Sequence, residues 1–157
     1  EGFGSSDGLP RLANTLRDIE AVYQFLTGEC GIAPAQIIAL GYSMGTGPSA
    51  YLGARHPIGG VVLLAGFASL MQVKSHYSFW PGNKLPVCRW LAASDVPVIL
   101  IHGTDDEVVP YRNAEYNLAA ARGRKELITL PGVTHWLGDI LEGVGAKRFF
   151  EIIEATF

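Results

Sequence analysis

Ile37-Ile38-Ala39-Leu40-Gly41-Tyr42-Ser43-Met44-Gly45 is the stretch whose reading decides the fold. An apolar, strand-like run ends in Gly-x-Ser-x-Gly, and a helix-compatible segment from Thr46 to Arg55 follows. A sharp strand-to-helix turn needs small residues beside the serine, and Gly41 and Gly45 stand there. Such a turn strains the serine backbone and lifts the hydroxyl off the sheet edge. It also places the next backbone N–H groups at a helix N-terminus, where negative charge is favoured. The expectation is a nucleophile elbow at Ser43. A second literal match, Gly4-Ser5-Ser6-Asp7-Gly8, has no strand before it and leads into a proline, so Ser6 reads as a loop residue.

Working outward, strand and helix signals alternate. Leu12, Leu16, Ile19, Val22, Phe25 and Leu26 recur at helical spacing and predict an amphipathic helix from Arg11 to Thr27. Gln36 to Leu40 reads as a buried strand, and Thr46 to Arg55 as a helix stopped before Pro57. Further strands are expected at Gly60 to Ala65, Pro97 to Ile101 and Glu126 to Leu130. Helices are expected at Tyr111 to Ala121 and, as one final element, Asp139 to Ala155. The strands are continuous apolar runs, which implies a parallel sheet of about four strands flanked by helices on both faces. Ligands should bind beyond the carboxyl ends of those strands. Residues 67–93 fit the alternation poorly and read as a lid or pocket wall, or as an irregular connection packed by its own aromatics.

Composition narrows the function classes. At 157 residues the chain is about one domain long, read as a single domain over 1–157. The net charge of -3 comes without any basic run, which argues against nucleic acid as a partner. No apolar stretch reaches the length of a membrane span. Cys30 and Cys88 are too few for a disulfide framework, and the reading inclines towards a reducing, cytoplasmic compartment. Neither cofactor nor metal is expected. The histidines are scattered, the cysteines are far apart, and no phosphate-cradling glycine loop is present.

A serine nucleophile needs a base, and the base needs an orienting acid. After the third strand comes His102-Gly103-Thr104-Asp105-Asp106-Glu107-Val108-Val109-Pro110, which sets carboxylates on the rim that carries Ser43. After the fourth comes Pro131-Gly132-Val133-Thr134-His135-Trp136, which sets an imidazole there. In these motifs the chain resembles the C-terminal part of an α/β-hydrolase, the serine-hydrolase superfamily with Ser, Asp and His in that order. His102-Gly103-x-x-Asp106-x-x-Val109-Pro110 matches the acid loop and selects Asp106 over Asp105. Gly132-x-x-His135 matches the histidine loop, and Gly2 to Gly8 matches a turn after an earlier strand of that fold. Thr134 and Trp136 flank the histidine where the family often has glycine before it and an acidic or small residue after it.

The resemblance implies roles residue by residue. Ser43 would attack an acyl carbonyl, His135 would carry the proton, Asp106 would orient the imidazole, and the Met44 N–H would be one oxyanion donor. Tyr42, Phe67, Trp80 and Trp136 are candidates for the substrate pocket, while His102 reads as a structural histidine within the acid loop. The implied reaction is hydrolysis of a small-molecule carboxylic ester or thioester through an acyl-enzyme. A serine peptidase, or a hydrolase-like scaffold with impaired turnover, is the alternative. The resemblance also implies an eight-stranded core of which this chain supplies the last four strands, a truncated form of the fold. The loop with the second oxyanion donor would then lie elsewhere, and loss of one donor typically costs about 3 kcal/mol. A piece of a longer hydrolase is therefore expected. In its absence, an exposed apolar edge near Ile37 and Ile38 would invite a partner or self-association.

Overall fold

The computed structural model describes residues 4–9, 11–70 and 85–157. Four strands, β1 (Ile38–Tyr42), β2 (Gly60–Leu64), β3 (Val98–Gly103) and β4 (Lys125–Leu130), form one sheet in chain order. Every neighbouring pair is parallel. Helix α1 (Leu12–Gln24) runs into a π-helical turn, Phe25–Glu29. Helix α2 (Thr46–Arg55) connects β1 to β2, and α3 (Val87–Ala92) precedes β3. Helix α4 (Arg112–Ala120) connects β3 to β4, and α5 (Leu137–Val144) and α6 (Ala146–Thr156) follow. Among the described residues, no helix is long and apolar enough to cross a membrane.

Side-chain alternation along the strands builds one core on each face of the sheet. Val61 and Leu63 of β2 pack with Ala50 and Leu52 of α2 and Val87 and Leu91 of α3, and Leu12, Leu16 and Ile19 of α1 lie against them. Val62 and Leu64 point the other way and pack with Ile140 and Val144 of α5, with Phe149 and Ile152 of α6 alongside. Because both faces are covered at the centre, every residue of β2 and β3 is buried. These are the strands whose uninterrupted apolar runs signalled a parallel sheet.

The outer strands lie where they were expected, but they are less buried than their apolar runs suggest. β1 is half-buried, with Ile38 37% and Leu40 50% exposed while Ala39 is buried. In β4, Lys125, Glu126 and Thr129 are exposed. An edge strand has a neighbour on one side only, and in β1 the face carrying Ile38 and Leu40 extends beyond the cover of α5 and α6. Ile37 corrects the expected patch, since it is buried in the core on the opposite face. The single final helix expected over Asp139 to Ala155 is two helices, broken at Gly145 with φ +78°. A residue in this conformation ends one helix, and glycine adopts it without a Cβ clash.

Candidate active site

The turn after β1 has the conformation its glycines suggested. Ser43 sits at φ +49°, a left-handed conformation that costs a non-glycine residue about 1–3 kcal/mol. It opens a tight turn, Ser43–Gly45, that leads directly into α2. The turn is held by the Thr46 hydroxyl, which donates to the Ser43 carbonyl at 2.6 Å, and Thr46 is fully buried. The two glycines have unequal parts. A Cβ on Gly41 would overlap the Gly45 carbonyl and lie 2.7 Å from Ser49 Oγ. Gly45 has no atom near the position of a Cβ and an ordinary helical φ of -66°. The close approach therefore requires glycine at 41 only, which corrects the expectation for Gly45.

Beyond β3 the chain wraps around Asp106, whose side chain is fully buried. Its Oδ1 accepts the N–H groups of Val108 at 2.9 Å and Val109 at 2.7 Å. Its Oδ2 lies 2.8 Å from His135 Nδ1 and 3.2 Å from His102 Nε2. Burial alone would raise the Asp106 carboxyl. Hydrogen bonds from His102, His135 and the Val109 N–H, with the charge of His135, outweigh burial and hold it below its ordinary value. Asp105 is exposed and bonded to the Thr104 hydroxyl. The structure thus separates the two adjacent aspartates as the motif did.

Beyond β4 a turn through Gly132, at φ +72°, brings His135 over the serine. His135 Nε2 is 3.0 Å from Ser43 Oγ. With Nδ1–H donating to Asp106, Nε2 is the acceptor for the serine O–H. The two loops are laced together. Gly132 N–H donates to Thr104 Oγ1 at 2.8 Å, Asp105 N–H donates to the Val133 carbonyl at 3.1 Å, and a Cβ on Gly103 would overlap that same carbonyl. Three loops, from the ends of β1, β3 and β4, thus bring Ser43, His135 and Asp106 into one hydrogen-bonded line.

The other candidates have different places. Tyr42 donates its O–H to the His135 carbonyl at 2.9 Å and tilts its ring towards the imidazole. It ties the serine strand to the histidine loop, which its sequence position alone did not signal. Phe67 is 1% exposed in the core with Leu63, Leu85 and Val87, so it forms part of the packing beneath the site, not an open pocket wall. Trp136 is 73% exposed at the start of α5. Trp80 and most of the expected lid lie outside the described residues. A cavity of about 240 Å³ beside Met44 is lined by Arg11, Leu12, Thr15, Gly45, Pro48 and Leu85. A cleft of about 480 Å³ between the His56–Ile58 and Ala93–Pro97 segments lies at the opposite rim of the sheet, away from Ser43. Cys30 and Cys88 are free, and burial pushes the Cys88 thiol up to about 11. Among the described residues, no group of three or more His, Cys, Asp or Glu side chains is arranged to hold a metal ion.

A parallel sheet with a serine–histidine–aspartate line at the carboxyl ends of its strands defines an α/β-hydrolase. The model of the phospholipase/carboxylesterase family matches residues 7–137, and the chain belongs to that family. Among its relatives, the uncharacterized protein Rv2307c of Mycobacterium tuberculosis is 31% identical over 148 residues, covering 90% of this chain and 53% of that protein. The human alpha/beta hydrolase domain-containing protein 17B is 36% identical over 115 residues, covering 70% of this chain and 39% of that protein. The chain therefore spans about half the length of these relatives or less. The solved structure of Est1E from Butyrivibrio proteoclasticus with bound ferulic acid superposes with a TM-score of 0.76 at 20% identity, over 98% of this chain and 74% of that one. The esterase domain of a Rhodothermus marinus protein gives 0.71 at 16% identity, over 88% of this chain and 66% of that one.

Proposed function

We propose that this chain carries the catalytic triad of a serine hydrolase acting on carboxylic esters or thioesters. The observation that carries the reading is the continuous line from Ser43 Oγ through His135 to Asp106, with contacts of 3.0 and 2.8 Å. In the proposed reaction Ser43 Oγ attacks the acyl carbon while His135 Nε2 takes its proton. The Met44 N–H, in the turn that leads into α2, would receive the charge that develops on the carbonyl oxygen. Collapse of the tetrahedral adduct breaks the bond to the alcohol or thiol, which leaves with the proton held by His135. Water, deprotonated by His135, then releases the acid and restores Ser43. Asp106 keeps Nδ1 protonated and balances the imidazolium. The cavity beside Met44, with Leu12, Pro48 and Leu85 in its walls, offers an apolar seat for the acyl group.

The test is labelling with a fluorophosphonate probe, paired with hydrolysis of p-nitrophenyl esters. Wild type and Ser6→Ala are expected to label equally, and Ser43→Ala not at all. Labelling that survives Ser43→Ala would overturn the assignment of the nucleophile. A folded wild type that labels at Ser43 but does not turn over ester would identify an activated serine on a scaffold with impaired turnover.

A further inference from the structure

We propose that His102 is a positioning residue that tunes the acid of the triad through a single shared N–H. Its consequence for catalysis rests on the serine-hydrolase reading above. His102 lies near the carboxyl end of β3 with its side chain 1% exposed. Its Nε2 is 2.8 Å from the Val109 carbonyl, which can only accept, so Nε2 carries the proton. The same nitrogen lies 3.2 Å from Asp106 Oδ2, the oxygen that receives His135, and its hydrogen bond helps to lower the Asp106 carboxyl. Val109 in turn donates its own N–H to Asp106 Oδ1. His102, Val109 and Asp106 therefore close a small ring. It fixes the carboxylate plane and brings a second donor to the oxygen facing the base.

Two effects follow. The ring sets the rotamer of Asp106, so that Oδ2 meets His135 Nδ1 at 2.8 Å. The donor also withdraws part of the oxygen's negative charge from His135. Without it, the Asp106–His135 couple would bind a proton more readily, and the couple, not either residue alone, sets the acid limb of activity. Among the described residues, the titratable groups in contact around this centre are Asp106, His135, Tyr111, whose ring meets His102 edge-on at 5.9 Å, and Tyr42, beside His135.

The experiment compares His102→Leu, His102→Gln and His102→Asn with wild type. Leucine removes the donor, glutamine returns an amide N–H at the reach of Nε2, and asparagine is too short to return it. Two readouts are followed against pH: the rate of fluorophosphonate labelling, and the ¹⁵N shift of the His135 ring. The leucine and asparagine variants are expected to label about 10–100-fold more slowly on the plateau, with the acid limb moved up by about 0.5–1 pH unit. Glutamine is expected to restore the limb and to label within about threefold of wild type. Slowing in all three variants with an unmoved limb would reduce His102 to a packing residue and overturn the proposal. If labelling proves independent of Ser43, the hydrolase reading fails. The ring titration still decides the role of His102: an upward move in the leucine or asparagine variant supports it, and no move overturns it. Should the leucine variant not fold, the asparagine and glutamine pair carries the comparison.

Discussion

At the scale of single residues, the centre depends on one carboxylate held ionised while buried. Asp106 has no exposed side-chain surface, and four nitrogen donors lie around its two oxygens. Its carboxyl sits below its ordinary value in the folded chain. A depressed carboxyl contributes stability that is present above its unfolded value, about 4, and lost as pH falls through the lower folded value. Calorimetric melting temperatures of the wild type are therefore expected to drop below about pH 4 more steeply than those of Asp106→Asn. The same substitution is expected to slow labelling by up to about 10⁴-fold, because an amide favours the wrong imidazole tautomer. A flat difference in melting temperature between pH 3 and pH 7 would remove Asp106 from this account. The hydrogen-bonded line of Ser43, His135 and Asp106 joins three loops that were legible in the sequence, because each follows an apolar run and the loops share one rim. The part of Tyr42 was not, because a phenol that reaches a carbonyl 93 residues away leaves no local pattern.

At the scale of elements, the turns carry more constraint than the helices they join. Gly41 faces the Gly45 carbonyl at a distance no Cβ tolerates, whereas Gly45 faces open space. Gly41→Ala is expected to destabilise the chain by about 1–3 kcal/mol, seen as a fall of several degrees in Tm, and to lose labelling. Gly45→Ala is expected to stay within about 1 kcal/mol of wild type. Equal effects at both positions would show that the elbow is not packed as described. The sequence pattern gives the same letter to both glycines, and the asymmetry arises only in the folded turn, where Gly41 meets the Gly45 carbonyl. The break at Gly145 escaped for a related reason. Ile140, Phe149 and Ile152 all face one core, and their apolar period runs across the glycine without revealing that its φ is positive. Strand interiors at β2 and β3 were readable because burial on both faces forces apolar side chains at every position. The outer strands were placed as well, but the depth of burial of their faces was not, because half-exposure depends on what lies beside them.

At the scale of the whole molecule, the described sheet is two cores back to back, with β1 as one margin. Ile38 and Leu40 stand exposed there beside an edge whose backbone groups face no further strand among the described residues. Self-association through this margin is a proposal that a single charge tests. Leu40→Lys is expected to reduce concentration-dependent association in sedimentation velocity, while Leu9→Lys, at an exposed position remote from β1 in sequence, is not. Association equal in both variants would place the contact elsewhere. The arrangement of the site over this sheet has one more consequence. Ser43 and His135 are 92 residues apart in sequence, and they meet only because β1, β2, β3 and β4 lie side by side in one register. A slip of one residue in any pairing moves a strand end by about 3.3 Å and turns its side chains to the other face. Such a chain would keep its helices and much of its compactness, yet its serine would be inert. Under the proposed reaction, reactivity at Ser43 would therefore gauge assembly: the labelled fraction of a preparation would count the molecules whose strands have paired correctly.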